Sequence, residues 1–230
     1  MDLTRRSYQK EILDQPDIPF ADIERNMQEL DFINTWLGGH AISLSGLRHF
    51  TGVKRTLTIC EIGCGGGDNL RVLYRWCRKS QISVRVTGID SNAHCIKVAR
   101  ERWEGKDAIW MHSDYREAVF PEGKPDIIFS SLFCHHFTDE ELVFLFRWMD
   151  AHAGHGWFIN DLQRHPLAFH SIRLLTKWFS RSYLVKNDAP LSVLRGFTRR
   201  DLEELLRKAG IGNFTIRWKW AFRWLVTRDL

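Results

Sequence analysis

Hydrophobic and polar positions follow two patterns in turn along this chain. Five short stretches, residues 57–60, 84–90, 109–114, 126–132 and 156–161, are dominated by apolar and β-branched residues. Between them, over 69–79, 93–103 and 139–151, apolar residues recur three and four apart, as Cys95, Ile96 and Ala99 do. The first pattern predicts strands and the second helices with one buried face. The stretch 126–132 is almost continuously apolar, as expected of a strand covered on both sides. Thr138 followed by Glu141 is a capping box that opens the last of the three helices. Strand and helix in strict alternation predict a parallel sheet with helices on both faces.

The two ends depart from that alternation. Residues 1–52 read as helical, with a broad apolar face over 20–37 (Ile23, Met27, Leu30, Ile33, Trp36) that Gly38-Gly39 ends. A second helix is expected over 42–50. After the fifth strand, residues 162–197 form an aromatic-rich insertion with a helix over 167–179 and a loop from Lys186 to Ser192. Thr198 caps a further helix, 199–209. The tail alternates strictly: Phe214, Ile216, Trp218, Trp220, Phe222 and Trp224 face one way, and Thr215, Arg217, Lys219, Ala221 and Arg223 the other. It therefore reads as two strands reversing near Trp220-Ala221, with the aromatic face packed as core. The expected organisation is a helical cap, 1–52, on a ligand-binding domain, 53–230, with a lid insertion at about 162–197.

At 230 residues with 44% hydrophobic content, the chain is of single-domain size with ample core. No apolar run approaches the roughly 20 residues that span a bilayer, and the polar start, followed by no apolar stretch, is not a secretory signal. Five cysteines without framework spacing point to reduced thiols and a cytoplasmic enzyme. The net charge of +5 is dispersed, which disfavours a nucleic-acid partner.

Candidate chemistry concentrates after the first strand, in Glu61-Ile62-Gly63-Cys64-Gly65-Gly66-Gly67. Strand, glycine turn and helix make a nucleotide-type cradle, because glycine reaches positive φ and lets a ligand approach the backbone. Asp68 stands where a dinucleotide fingerprint needs its third glycine, and its charge opposes a pyrophosphate at the helix N-terminus. No Lys-Ser/Thr pair follows, so the phosphate-binding Walker pattern fails too. Three further acids close strands: Asp90, suited to a ribose diol; Asp114, suited to an adenine amino group, with Tyr115 beside it to cover the ring; and Asp161. Beyond the fourth strand stand Phe133-Cys134-His135-His136-Phe137. A phenol with pKa about 10 is neutral at pH 7, so transfer to it calls for a base. His135, its ring oriented by Asp161, fits that role, with His136 the alternative.

The motif E-x-G-x-G-x-G resembles the first motif of class I S-adenosylmethionine (SAM) methyltransferases. The stretch 61–161 is similar to the group that holds quinone-biosynthesis and natural-product methyltransferases. Asn34 to Gly39, Asn187-Asp188 and Arg195 to Thr198 resemble bacterial members found with polyketide pathways. That resemblance implies a Rossmann-like α/β fold with a seven-stranded, mostly parallel sheet whose last strand is antiparallel. It implies SAM as donor and no metal. The donor would be held by Glu61, Gly63, Cys64, Gly65, Gly67, Asn69, Asp90, Ser91, Asp114, Tyr115 and Ser131. Carried over from related sugar O-methyltransferases, His135 is the base and Asp161 its partner. The implied acceptor is a small phenolic or polyketide-type molecule, with Trp36, His165, Asp188 and Arg195 as contacts and His40 and His170 as further candidates. Alternatives are a quinone-type C-methyltransferase in peripheral contact with a membrane, or an RNA or protein methyltransferase. The fourth strand ends Ser130-Ser131-Leu132-Phe133, not in the Asn/Asp-Pro-Pro-aromatic segment of base N-methylation.

Overall fold

The computed structural model describes residues 3–15, 17–52, 56–105 and 108–230; the expected boundary at residue 53 lies outside them. Seven strands form one sheet: β1 (Thr56–Ile62), β2 (Ser83–Asp90), β3 (Ala108–His112), β4 (Ile127–Ser131), β5 (Gly156–Leu162), β6 (Phe214–Lys219) and β7 (Arg223–Asp229). Their spatial order is β3-β2-β1-β4-β5-β7-β6. β7 alone runs against its neighbours, pairing antiparallel with both β5 and β6. The chain reverses direction of travel across the sheet between β3 and β4, so the ends of β1 and β4 lie side by side and open a crevice there.

Eight α-helices are found among the described residues: α1 (Phe20–Trp36), α2 (Gly39–Thr51), α3 (Asp68–Lys79), α4 (Ala93–Arg102), α5 (Asp139–His152), α6 (Pro166–Phe179), α7 (Tyr183–Arg195) and α8 (Arg199–Lys208). One core joins α5 and α8 to the sheet through Leu142, Phe146, Leu202 and Leu206. The other joins α2 and α3 through Ile42, Leu47, Leu70 and Leu73. The helix ends explain their positions. Thr138 and Glu141 exchange the hydrogen bonds of a capping box, and Thr198 does the same with Asp201. Asp68 sits in the first turn of α3 and Arg78 and Lys79 in its last, each complementing the helix dipole.

Three expectations are corrected. Residues 3–11 are not helical; they run extended across α7 and lead to a short 3-10 turn, Ile12–Asp14. The expected loop 186–192 lies inside α7. Its polar run with Pro190 reads as a turn, yet Ser182 caps the helix by accepting from the Val185 N–H, and Asp188 is buried by tertiary contacts. The aromatic tail is only partly core: Trp224 is buried, whereas Trp218 and Trp220 face solvent. All five cysteines are buried free thiols.

Candidate active site

The glycine turn after β1 is shaped by what passes over it. Gly63 has φ +66°, and a Cβ there would stand 2.0 Å from the Phe133 ring. Only glycine fits beneath that side chain. Asp90, at the end of β2, accepts from the Gly65 N–H at 2.9 Å and the Asn92 N–H at 2.8 Å, which ties the turn to the second strand. Glu61 is fully buried and accepts from the Leu70 N–H and the Asn69 side chain. Burial first, then the nearby charges of Asp68 and Asp90, push its pKa well above the carboxylate range. One Glu61 oxygen, Oε2, and the Asn69 oxygen Oδ1 have no hydrogen-bond partner. Buried acceptors left unpaired are costly, and both residues line the main cavity. A ligand that brings an ammonium, hydroxyl or amino group answers them, and a phosphate does not.

That cavity has a volume of about 890 Å³, near the top of the roughly 300–1,000 Å³ range of small-molecule sites. It has room for a donor and an acceptor together. Glu61, Gly63, Cys64, Gly65, Asn69, Asp90, Ser91 and Ser131 line it. His135 and His136 line it too, so the glycine turn and the histidine pair share one space.

The histidine pair is placed by the bend after β4. Leu132 adopts a left-handed φ of 54°, an uncommon conformation for a bulky residue. Its N–H is anchored on the Asn160 carbonyl at 2.9 Å. The next N–H, of Phe133, donates to Asp161 Oδ2 at 3.2 Å. His135 Nδ1 then donates to Asp161 Oδ1 at 2.8 Å. Both groups are buried. That bond occupies Nδ1 and leaves Nε2 as the other ring nitrogen.

Nε2 faces a residue that sequence reasoning missed. Glu11 Oε1 lies 3.6 Å from His135 Nε2, and Glu11 Oε2 lies 3.8 Å from His136 Nε2. These are ion-pair distances, longer than a hydrogen bond. Burial alone would lower the His135 pKa, but Asp161 and Glu11 outweigh it and raise it to about 9. Glu11 is held below its ordinary value because the two imidazoles outweigh its own burial. The Glu11→Gln variant removes one of the two anions that favour imidazolium. Its pH–rate profile is expected to move to lower pH by about one unit or more, whereas an unmoved profile would make Glu11 a packing residue.

The extended N-terminal segment delivers Glu11. Arg6 is buried and donates to the Arg195, Phe137 and His135 carbonyls and to Asp139. Asp188 accepts from the Ile12 and Leu13 N–H groups at 2.9 and 3.0 Å. Ser192 donates to Glu11 at 2.6 Å. No periodic pattern marks these residues, and the partners lie more than a hundred positions away. A charged residue in an aperiodic start gave no signal.

Other expected site residues are placed differently. Asp188 lines the cavity, but its oxygens clamp the N-terminal segment. Arg195 is buried outside the cavity lining and donates to the His135, His136 and Gln9 carbonyls, so it braces the pair from behind. Trp36 is 73% exposed, His170 is exposed, and neither lines the cavity. His165 caps α6 and stacks on Phe222 at 5.1 Å, away from the lining. His40 bonds Asp68 at 2.7 Å. Asp114 caps the next turn and takes both oxygens to Arg116. Neither it nor the buried Tyr115 nor Gly67 contributes to the cavity wall. Arg223, assigned to the solvent side of the tail, is only 3% exposed and lines the cavity. It donates to Asn34 at 2.8 Å through Nη2, while Nη1 has no partner.

Two groups of described residues bring three metal-type donors within 4.8 Å, Glu11 with His135 and His136, and Asp31 with His40 and Asp68. Each is closed by its own ion pairs, the second further neutralised by Arg71 on Asp31 at 2.7 Å. Neither is read as a metal centre.

Residues 59–156 match the family model described as a methyltransferase domain. This stretch, from β1 to the start of β5, is similar to a methyltransferase domain. Solved structures share its fold across most of its length. The plantazolicin methyltransferase in complex with SAH (S-adenosylhomocysteine) superposes with a TM-score of 0.64 at 17% identity, covering 91% of this chain and 89% of that one. Magnesium protoporphyrin IX methyltransferase from Synechocystis PCC 6803, with bound SAH, gives 0.52 at 16%, covering 95% and 90%. Human N-acetylserotonin methyltransferase, in complex with SAM, gives 0.63 at 16% and covers 92% of this chain, which spans 56% of that protein. No curated protein matches the sequence. The chain thus has the Rossmann-like architecture of those solved methyltransferases. No helix among its described residues is long and apolar enough to cross a membrane.

Proposed function

We propose that this methyltransferase moves the SAM methyl group to a hydroxyl oxygen of a small phenolic or polyketide-type acceptor, with His135 as the base. One observation carries the reading: the buried 2.8 Å bond between His135 and Asp161 stands on the wall of the cavity that the glycine cradle opens into. When bound, SAM supplies a methyl group on a positively charged sulfur, an electrophile that needs no acid to leave. The residues are left with positioning the acceptor and removing its proton.

Asp161 holds the His135 ring with Nε2 toward the cavity and stabilises the imidazolium that forms. Glu11 adds a second anion on the far side, so the neutral base is present only toward pH 9. A phenol is most easily ionised in that same range. The described residues of the segment before β1 serve as the cap over the acceptor, since Glu11, Ile23, Met27 and Ile33 all line the cavity. The concave, mostly apolar wall supports a small molecule over a nucleic acid as acceptor.

The donor's orphan partners are Glu61 and Asn69 for its polar hydrogens and Arg223 Nη1 for its carboxylate. A charge-assisted hydrogen bond of this kind contributes about 1.5–3 kcal/mol. Arg223→Met is therefore expected to weaken SAH binding by about tenfold or more, measured by calorimetry, while methylthioadenosine, which lacks the carboxylate, binds unchanged. Equal losses for both ligands would remove Arg223 from the donor site.

A further inference from the structure

The outer side of α6 is unlike the rest of the surface. Leu174 is 59% exposed, Trp178 70% and Phe179 80%, with Leu167 and Tyr183 also open to solvent. Buried side chains on the same helix, Ala168 and Phe169, show that it is firmly seated and does not need this face for its own packing. Large apolar side chains exposed together along one helix, with Tyr183 at the start of α7 beside them, mark an interaction site.

Charge narrows what can cover it. From residue 162 to residue 187 the chain contains no Asp or Glu. Arg173, Lys177, Arg181 and Lys186 are exposed along this stretch. Two acids from α1 meet the C-terminal end of this stretch, Glu29 at Ser180 to Ser182 and Asp22 at Tyr183. Along the helix itself, leucine, tryptophan and phenylalanine interleave with cations alone, the pattern of a helix lying in the headgroup region of an anionic bilayer. Tryptophan and long cationic side chains prefer that boundary because each has an apolar body and a polar end.

The patch is also continuous with the cavity. Ala168, Ser171, Ile172 and Leu175 of α6 line it, and Leu175 is itself part of the exposed face. Trp220 likewise lines the cavity while standing 67% exposed. The mouth therefore opens beside the apolar face.

We propose that α6 docks this protein on anionic lipid bilayers, so that an amphiphilic acceptor, with an apolar tail and a hydroxyl-bearing head, passes from the membrane into the cavity. The statement about the acceptor rests on the methyltransferase reading; docking itself does not.

Co-sedimentation with phosphatidylcholine vesicles, with and without phosphatidylglycerol, tests it. The wild-type protein should pellet with the anionic vesicles, less so as salt is raised. The double variant Trp178→Ser/Phe179→Ser should bind them about tenfold or more weakly, and Arg173→Gln/Lys177→Gln should lose the preference for phosphatidylglycerol. SAH affinity, measured by calorimetry, should be unchanged in both. No pelleting of the wild type, or undiminished pelleting of the Trp178/Phe179 variant, overturns docking. So does a wild-type dimer in solution that this variant converts to monomer, because the face would then be covered by a second copy. Vesicle binding without SAH binding would uphold docking and overturn the donor reading instead.

Discussion

Replacing His135 with alanine should lower methyl transfer by about 10²–10⁴-fold while SAH affinity stays within a factor of two or three. The ring is buried and its only role in the proposed reaction is to take a proton at Nε2. The cradle residues do not touch it, so donor binding has no reason to change. The pH–rate profile gives an independent reading. A His135 pKa of about 9 means imidazolium at neutral pH, so the wild-type rate should climb about tenfold per pH unit until it levels near that value. His135→Ala should lose this limb. Loss of activity in His136→Ala alone, with His135→Ala active, would move the base by one residue. The same shift acts on stability. The folded His135 pKa lies above its unfolded value of 6.5, so its contribution is complete below about 6.5 and fades as pH rises through 9. The thermal midpoint should decline across that window, and in His135→Ala it should decline less.

Asp161→Asn carries the second large effect. Asp161 accepts from the Phe133 N–H, from His135 Nδ1 and from the Leu162 N–H at 2.7 Å. An asparagine has one acceptor oxygen and an NH₂ group, so at least one of those donors must then face another donor. If the amide nitrogen meets His135, the ring keeps its proton on Nε2 and cannot act as base. The expected loss is about 10²–10⁴-fold in kcat, with about 1–3 kcal/mol of stability from the unpaired buried group. The variant should stay folded in circular dichroism, and its SAH affinity should hold. An unfolded variant would make Asp161 a structural residue, and a folded one with full activity would dissolve the dyad.

Much of this architecture was legible because its signals are local. The strands β1, β2, β4 and β5 announce themselves by short apolar runs between helices of regular period, and Glu61 to Gly67 carries its own geometry in its glycines. His135 and Asp161 could be paired because one follows β4, the other sits near the end of β5, and the two strands are neighbours. What stayed hidden depends on distance. Glu11 lies 124 positions before His135, in a segment without periodicity, and only the Arg6 and Asp188 contacts bring it in. Arg223 was assigned to solvent by alternation, but both faces of β7 are covered, so the strand rule of one wet face does not hold. The residues from Lys186 to Ser192 carry turn composition, and tertiary burial overrode it. Asp114 closes the strand pattern in the sequence, but Arg116, two residues on, claims its carboxylate away from the cavity wall.

The donor site is the ground on which every other assignment stands. Titrating the protein with SAH, with NADH in a parallel cell, tests it most directly. Saturable one-to-one heat from SAH and none from NADH is the predicted outcome. Silence toward SAH, or heat from NADH instead, would contradict it.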